Sequence, residues 1–430
     1  MSKRIAIVGS GFLGLTLALR LDKSKYDVTV FEAADRIGGL ASAWNIGDVT
    51  WDKHYHVTLL SDLNTRKIVE DIGLADKFEW VETRTGFYTD GRLYSLSNAL
   101  EFLKFPPLGL LGKFRLGGTI FYASRVRDWK ALEKIPVEEW LIKLSGRSTF
   151  EKIWKPLLIA KLGNAYKETS AAFIWSTIQR LYAARKSGLK KEMFGYVRGG
   201  YGRVLERFAE VLAQEGVVLR LSCPVKSIGR SSGKSFVESE KRTEEFDQVI
   251  VTCTPSRAAS MLPQLSAEQK SEMLNLRYQG IVCASVIMKK PVSGFYVTNV
   301  TDDSPFTGII EMSALVDKKE FGGLSLLYLP KYVAPDDPLF ERSDLEIEDN
   351  FLSALEEMYP DFKRQDVVAF KVSRVREVFP VPVLRYSERV PDMEVIKGVW
   401  AVNSSHILNG TLNINETVGL ANTVLKVGLF

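Results

Sequence analysis

Three glycines near the start of the chain have the spacing that binds a dinucleotide. Gly9, Gly11 and Gly14 occupy the positions of a G-x-G-x-x-G motif, and Glu32 follows about 20 residues further on. In this motif the first glycine permits a tight turn, the second lets the backbone approach a pyrophosphate, and the third lets a helix pack closely on a strand. A carboxylate at Glu32 can accept the ribose hydroxyls of an adenosine. The predicted chemistry is the binding of a nucleotide cofactor at a helix N-terminus.

Two of the three histidines stand together and have the chemistry to act on a substrate. His54 and His56 belong to the segment WDKHYHVTLLSD, and in a strand their side chains would share one face. Because imidazole titrates near neutral pH, His56 can donate a hydrogen bond to a cofactor or act as an acid or base. The alternative is a pair of hydrogen-bonded structural histidines. We predict no metal site, because two histidines without an acidic or thiol partner at ligand spacing are too few.

The elements around the glycines predict a nucleotide-binding α/β unit. The run RIAIVGS, from Arg4 to Ser10, is typical of a short buried strand, and an apolar-periodic helix follows it. The run YDVTVFE, which ends at Glu32, is typical of a second strand. A secretory signal also begins with basic residues and an uncharged stretch, but it needs a small-residue cleavage site that does not follow here. We therefore predict that this segment opens a nucleotide-binding domain.

The length and composition of the chain predict two domains. With 430 residues the chain exceeds what one hydrophobic core usually supports. The net charge of +5 comes without a long basic run, so we predict no nucleic-acid partner. Cys223, Cys253 and Cys283 form no C-x-x-C pair, which favours a reducing compartment, and we expect a cytoplasmic protein. The oligomeric state is left open.

A second glycine motif carries a family resemblance. The segment EAADRIGGLAS places Gly38 and Gly39 just after the strand that ends in Glu32. It resembles the second glycine motif of FAD enzymes in the flavin amine oxidase, protoporphyrinogen oxidase and phytoene desaturase superfamily. The resemblance implies FAD as the cofactor. Many members have arginine where this chain has Leu40, which shifts the contact with the pyrophosphate to backbone N–H groups and to Arg36.

The resemblance extends along most of the chain. The segments YVRGGYGRVLERFAEVLAQEGVVLRLSCPVKSI, FDQVIVTCTPSRAASML and GVWAVNSSHILNGTLNINETVGLAN are similar to later parts of the cofactor domain. The segment IWKPLLIAKLGNAYKETSAAFIWSTIQR is similar to a bacterial protoporphyrinogen-oxidase-like branch. Asn413–Thr417 also offers capping residues before an apolar-periodic run, so a helix N-terminus there can face the flavin.

Together the glycine motif and the resemblance imply a set of site residues. The cofactor-binding candidates are Gly9, Gly11, Phe12, Gly14, Glu32, Ala33, Arg36, Gly38, Gly39, Leu40, His56, Val225, Thr252, Asn403, Asn413, Glu416 and Thr417. The catalytic candidates are His56 and His54.

The order of the matching segments implies a discontinuous cofactor domain. The fold class is α/β, a Rossmann-like FAD-binding domain with an inserted α+β substrate domain. We predict FAD-binding segments at 1–85, 196–275 and 391–430. The inserted domain takes residues 86–195, mainly helical, and 276–390, mainly sheet.

The function that the resemblance implies is hydride transfer from an apolar or amphipathic small molecule to FAD. One alternative is an isomerase or mutase without net redox change, similar to UDP-galactopyranose mutase or a carotenoid isomerase. Another is a scaffold that holds FAD without turnover.

The stretch Phe102–Lys130 mixes apolar and basic residues, as segments at a bilayer surface do. A peripheral contact at the inner face of the membrane stands beside the alternative of an ordinary helical cap. Its glycines are expected to weaken any single continuous helix.

Overall fold

The computed structural model of the protein describes residues 2–185 and 193–428. The strands in chain order are β1 (Lys3–Val8), β2 (Tyr26–Phe31), β3 (Ala43–Ile46), β4 (Val49–Asp52), β5 (Thr58–Leu59), β6 (Phe78–Glu82), β7 (Thr85–Thr89), β8 (Arg92–Ser95), β9 (Met193–Val197), β10 (Val218–Arg220), β11 (Val225–Ser231), β12 (Lys234–Ser239), β13 (Thr243–Phe246), β14 (Gln248–Val251), β15 (Tyr278–Met288), β16 (Val297–Val300), β17 (Gly308–Glu311), β18 (Ser325–Val333), β19 (Val367–Pro380), β20 (Glu394–Ile396) and β21 (Val399–Ala401). The helices are α1 (Phe12–Arg20), α2 (Leu63–Asp71), α3 (Ala99–Lys104), α4 (Leu110–Ala123), α5 (Trp129–Leu132), α6 (Val137–Ser145), α7 (Arg147–Thr149), α8 (Lys155–Leu162), α9 (Ala171–Arg185), α10 (Gly200–Gln214), α11 (Pro255–Met261), α12 (Ala267–Leu274), α13 (Asp344–Met358) and α14 (Ile414–Lys426).

A six-stranded sheet carries the glycine motif. Its order is β10-β2-β1-β14-β21-β20, with every neighbouring pair parallel except β21 and β20. Successive residues of a strand face opposite sides of the sheet. Ile5 and Ile7 therefore pack with α1, α10 and α14, whereas Ala6 and Val8 pack against the small sheet β11-β12-β13. The mixed α/β class expected from the sequence is confirmed.

A second, seven-stranded sheet has the order β19-β15-β18-β17-β16-β7-β8. Its long strand β15 is buried over its whole length. Val282 and Val286 pack on one side with α13, while Ile281 and Cys283 pack on the other with Tyr328. This sheet thus has an apolar layer on each face, and the thiol of Cys283 belongs to one of them.

A helical layer from α3 to α9 covers one end of the second sheet around the buried side chains of Trp140, Phe150 and Leu158. The expectation that glycines weaken any single continuous helix in this region is confirmed, because the stretch is divided among α3, α4 and α5 and Gly109 is the N-cap of α4. Three further glycines, Gly112, Gly117 and Gly118, lie inside α4, which runs unbroken from Leu110 to Ala123. Each glycine costs a helix only about 1 kcal/mol, and the burial of Leu116 and Ala123 on one face offsets that cost. Within the described ranges, none of the helices has the length and apolar character needed to cross a bilayer.

Buried polar contacts hold the two sheets together. The carboxylate of Asp52, at the end of β4, accepts the N–H of Tyr201 at the start of α10 at 2.7 Å. The backbone carbonyl of Asp52 accepts the hydroxyl of Tyr328 from β18. In addition, the guanidinium of Arg180 in α9 makes two hydrogen bonds, of 3.1 and 2.7 Å, to the buried carboxylate of Asp62. These contacts set the position of the inserted elements over the first sheet.

Candidate functional site

The turn between β1 and α1 is packed tightly on one side and open on the other. Gly9 has φ +107°, a conformation that L side chains rarely adopt. A Cβ on Gly14 would lie 2.1 Å from the carbonyl oxygen of Gly9, and the hydroxyl of Thr252 donates to that same oxygen at 3.1 Å. A Cβ on Gly11 would meet nothing within 4 Å. Gly14 therefore faces the protein interior, and Gly11 faces open space.

The second glycine motif lies directly beside the first. Gly38 forms an isolated parallel bridge with Gly11, and its N–H donates to the carbonyl of Ser10 at 2.9 Å. Gly38 has φ +118°. The first N–H groups of α1 have no acceptor within their own helix, and Phe12 and Leu13 of this turn line the cavity. The two motifs together form a backbone surface suited to an anion.

Glu32 directly follows β2 and lies beside the glycines, with its carboxylate held by hydrogen bonds. Its Oε2 accepts the N–H of Ser10 at 2.9 Å and the hydroxyl of Ser10 at 2.6 Å, while Oε1 accepts the N–H of Ala34 at 2.9 Å. A carboxylate has about four acceptor sites, so capacity for a further hydroxyl remains.

A cavity of about 890 Å³ extends from this turn to the inserted helices. Its far wall is apolar, and six of the side chains that form it are Ile120, Trp154, Leu158, Ile174, Ile178 and Val378. The cavity thus has a polar end made of backbone and an apolar end made of side chains. A cavity of this form suits a nucleotide cofactor beside an apolar ligand.

Most of the residues predicted from the sequence meet on this cavity. Those on its wall are Gly9, Gly11, Phe12, Glu32, Gly38, Gly39, Leu40, His54, His56, Thr252, Asn403, Asn413 and Thr417. Those that do not line it are Gly14, Ala33, Arg36, Val225 and Glu416.

Arg36 does not bring its charge to the glycine turn. Its guanidinium lies on the surface, with Nε 3.1 Å from a carboxylate oxygen of Asp35 and Nη1 3.3 Å from the carbonyl of Ala43. None of these contacts supports the prediction that Arg36 takes the place of the arginine missing at position 40. The positive end of α1 and the backbone amides are then the groups available to an anion.

The C-terminal helix brings a second helix N-terminus to the cavity. The side chain of Asn413 accepts the N–H of Glu416 at 3.0 Å and so caps α14. The buried Asn403 uses its Oδ1 to accept the N–H and the hydroxyl of Ser405, at 3.0 and 2.7 Å. Asn403, Asn413 and Thr417 line the cavity together.

The histidine segment is a loop, so the strand geometry that would place both side chains on one face does not apply. It connects β4 to β5, and the two imidazoles have different surroundings. His54 Nδ1 lies 3.1 Å from the carbonyl of Leu40, and its Nε2 lies 3.0 Å from the hydroxyl of Ser373. Because a carbonyl can only accept, Nδ1 carries the hydrogen and Ser373 donates to Nε2. Burial lowers the pKa of His54 to about 4, so this neutral imidazole ties two segments together.

His56 differs from His54 in its surroundings. Its imidazole lies on the cavity wall, 5.1 Å from the ring of Tyr201. Nδ1 is buried and makes no hydrogen bond to any of the described residues. Burial lowers the pKa of His56 to about 4, so the ring is neutral at pH 7.

Three further polar groups on the wall were not found from the sequence. The hydroxyl groups of Tyr55 and Tyr332 lie 2.8 Å apart, and burial raises the pKa of Tyr55 to about 12. The amine of Lys161 lies over the ring of Tyr332. These residues come from a loop, from β18 and from α8, so no local motif could have indicated that they meet.

An acidic group on the wall is also held in place. Glu377 of β19 accepts the hydroxyls of Thr254 and Ser256, both near the start of α11, at 2.6 and 2.5 Å.

Cys253 lies on the same wall, and burial raises the pKa of its thiol to about 11, which keeps it protonated and unreactive. Within the residues that the structure describes, no cluster of histidine, cysteine or acidic side chains has the arrangement of a metal site.

The residues at the polar end fit a dinucleotide. Gly11 leaves open the space that a Cβ would fill, the amides at the start of α1 are free of helical partners, and the imidazole of His56 lies on the cavity wall.

Comparisons with known proteins agree with this geometry. The model of the family described as flavin containing amine oxidoreductase matches residues 14–391. The zeta-carotene desaturase of Synechocystis sp. is 22% identical, over 90% of this chain and 90% of that protein. A structure from Exiguobacterium sp. 255-15, assigned as a protoporphyrinogen oxidase, has a TM-score of 0.78 at 19% identity and covers 99% of this chain and 98% of its own. Reduced UDP-galactopyranose mutase has a TM-score of 0.74 at 15% identity and covers 100% and 97%.

Substitution of two glycines of one motif is expected to separate folding from FAD binding. In Gly11→Ala the new methyl group enters the open space at the anion site, so we expect a wild-type fold and FAD affinity lower by more than about tenfold, ~1.4 kcal/mol. In Gly14→Ala the methyl group meets the carbonyl of Gly9, and we expect a loss of stability of about 1–3 kcal/mol. Circular dichroism and FAD titration measure both effects. Wild-type FAD affinity in Gly11→Ala would contradict the assignment of this turn.

The neutral His54 predicts a loss of stability in acid. Its imidazole has a pKa of about 4 in the folded protein and about 6.5 in an unfolded chain, so the unfolded state binds the proton first as the pH falls. The stabilisation is complete above pH 6.5 and is lost as the pH falls toward 4. Between pH 7 and pH 5, the wild type should lose about 2 kcal/mol more of its unfolding free energy than His54→Gln. Urea unfolding at both values checks this, and equal losses would refute it.

Proposed function

Because the chain belongs to the flavin-containing amine oxidoreductase family and is an FAD-dependent oxidoreductase, we propose that it oxidises an apolar or amphipathic small molecule in the cavity. In this reaction the substrate loses two electrons as a hydride equivalent, together with a proton. The observation that carries the proposal is the form of the cavity. One space has the glycine turn at one end and an apolar wall at the other.

The residues that would hold FAD are those of the polar end. Gly11 and the first amides of α1 would hold the diphosphate, and Glu32 would accept the adenosine ribose. The N-terminus of α14, capped by Asn413, would favour negative charge beside it. Bound FAD supplies the acceptor for the two electrons.

The protein's own contribution to the reaction is to orient the substrate and to exclude water. The apolar wall, with Trp154, Leu158 and Ile178, removes water from the substrate end of the cavity. His56 is neutral at pH 7 because burial lowers its pKa to about 4, so its ring can orient the substrate through a hydrogen bond. Glu377 lies on the same wall with its orientation set by two hydroxyl groups.

A mutase or isomerase is the second candidate. The chain shares its fold with reduced UDP-galactopyranose mutase over nearly the whole length of both proteins. At 15% identity this likeness concerns the fold, so the chemistry decides between the two functions.

The test is anaerobic mixing of the FAD-bound protein with amines, porphyrinogens and polyenes. We expect one of these classes to bleach the visible absorbance of the flavin, and admission of oxygen or another acceptor to restore it. Conversion of a substrate only after reduction with dithionite, with no net oxidation, would indicate the mutase. Flavin that no compound in the panel reduces, in a protein that stays folded and binds a partner protein, would indicate a scaffold and refute the oxidation.

We also propose that the protein rests on an anionic membrane surface. The outer sides of α3 and α4, here called the α3–α4 surface, expose the side chains of Leu103, Leu110, Leu111, Phe114 and Phe121. Lys104, Arg115 and Arg125 are exposed beside them. An apolar face with basic neighbours is suited to the interface of an anionic bilayer. The same helix α4 contributes Ile120 to the cavity wall, so the path of an apolar substrate from the lipid to the cavity would be short.

Removal of the apolar side chains is expected to abolish this contact. We predict that the wild type sediments with vesicles that contain an anionic phospholipid and that Leu111→Ser/Phe114→Ser binds at least about tenfold more weakly, because each lost side chain removes about 1.5–3 kcal/mol of burial. Leu345→Ser, a change at an exposed leucine of α13, is the matched control and should bind like the wild type. Equal sedimentation of all three proteins would rule out the α3–α4 surface as the contact.

A further inference from the structure

Lys161 places a cation at the apolar end of the cavity. It lies in the last turn of α8, and its Nζ is 3.7 Å from the centroid of the Tyr332 ring and 4.9 Å from that of the Phe379 ring. In the part of the chain that the structure describes, no acidic side chain lies close enough to act on its charge. The faces of two aromatic rings are thus the groups that attract the ammonium.

The other charged groups on this wall are satisfied. Arg180 forms a bidentate pair with Asp62, and Glu377 accepts hydroxyl groups of Thr254 and Ser256. Lys161 differs from both, because an ammonium has three N–H donors and none of them has an acceptor among the described residues. Its amine is therefore free to bind a ligand.

An isolated ammonium against apolar walls is unfavourable. Burial lowers the pKa of Lys161 to about 7, so the apolar surroundings hold the charged form only weakly. An anion brought beside it would restore the charge and would replace the lost hydration with a charge-assisted hydrogen bond. No such advantage exists for a neutral ligand.

We propose that Lys161 binds the acidic group of the substrate, and that the substrate is an apolar carboxylate. The carboxylate would pair with Nζ, and the apolar remainder would lie along Trp154, Leu158 and Ile178. The inference rests on the proposed function in taking the apolar end as the substrate site. It goes further by naming the chemical group that selects the substrate.

Calorimetric titration with decanoate and decanol tests the proposal, because the two ligands share a chain length and differ in charge. We expect the FAD-bound wild type to bind decanoate at least about tenfold more tightly than decanol. In Lys161→Met this preference should disappear, while decanol should bind as in the wild type or more tightly. Lys155→Met is the matched control, because Lys155 lies on the same helix and pairs with Glu151 at 2.7 Å. This control should keep the preference.

Several outcomes would overturn the proposal. They are a wild type that binds neither ligand or both equally, and a Lys161→Met variant that keeps the preference. A variant that keeps it while its FAD affinity changes would place the ammonium at the cofactor. If Lys161→Met does not fold, Lys161→Gln, with a side chain that keeps polarity without charge, replaces it with the same expectation.

The outcome is independent of the redox assay. Heat of binding reports on Lys161 whether or not the flavin is reduced, and the titrations can be repeated on FAD-free protein. A preference for decanoate in a protein whose flavin no substrate reduces would leave the role of Lys161 standing and remove the oxidation. Reduction of the flavin by neutral amines or polyenes alone, with no preference for decanoate, would support the oxidation and refute the role of Lys161.

Discussion

The contact between α1 and the turn before it is the constraint on which the site depends. Gly14 packs against the carbonyl of Gly9 at a distance where no Cβ fits, and Thr252 donates to that carbonyl from the end of β14. Together they hold the start of α1 at the edge of the sheet with its free amides toward the cavity. The favourable interaction of an anion with a helix dipole is confined to the first turn, so the position of the start of α1 decides where an anion can bind.

Neither sheet forms the site alone. The first sheet supplies the backbone surface and Glu32, while the inserted helices and the second sheet supply the apolar wall, Lys161 and Glu377. The contacts of Asp52 and the Arg180–Asp62 pair hold these parts in register. Charged groups persist in this buried region because each of these polar contacts leaves few unsatisfied groups.

The site needs few catalytic side chains because the cofactor of this family carries out the redox step. The protein needs to exclude water, to place the substrate and to handle one proton. His56 is neutral and has an unpaired Nδ1, whereas both ring nitrogens of His54 have partners. The two histidines, both candidates in the sequence and both on the cavity wall, therefore differ in how their rings are held. The carbonyl of Leu40 is the acceptor for His54, which gives this position a backbone role in place of a side-chain charge.

The sequence by itself determined the nucleotide end of the site. Gly9, Gly11, Gly14 and Glu32 lie in adjacent elements, and their relation follows from local rules for strand ends, turns and helix N-termini. Local rules were insufficient where tertiary packing decides. They did not determine the conformation of the segment that holds His54 and His56, which is a loop between β4 and β5. Lys161, Tyr332 and Glu377 are far apart in the chain, and only the packing of α8 on β18 and β19 brings them to one wall. Such contacts leave no periodicity or spacing in the sequence, because they depend on how distant surfaces fit together.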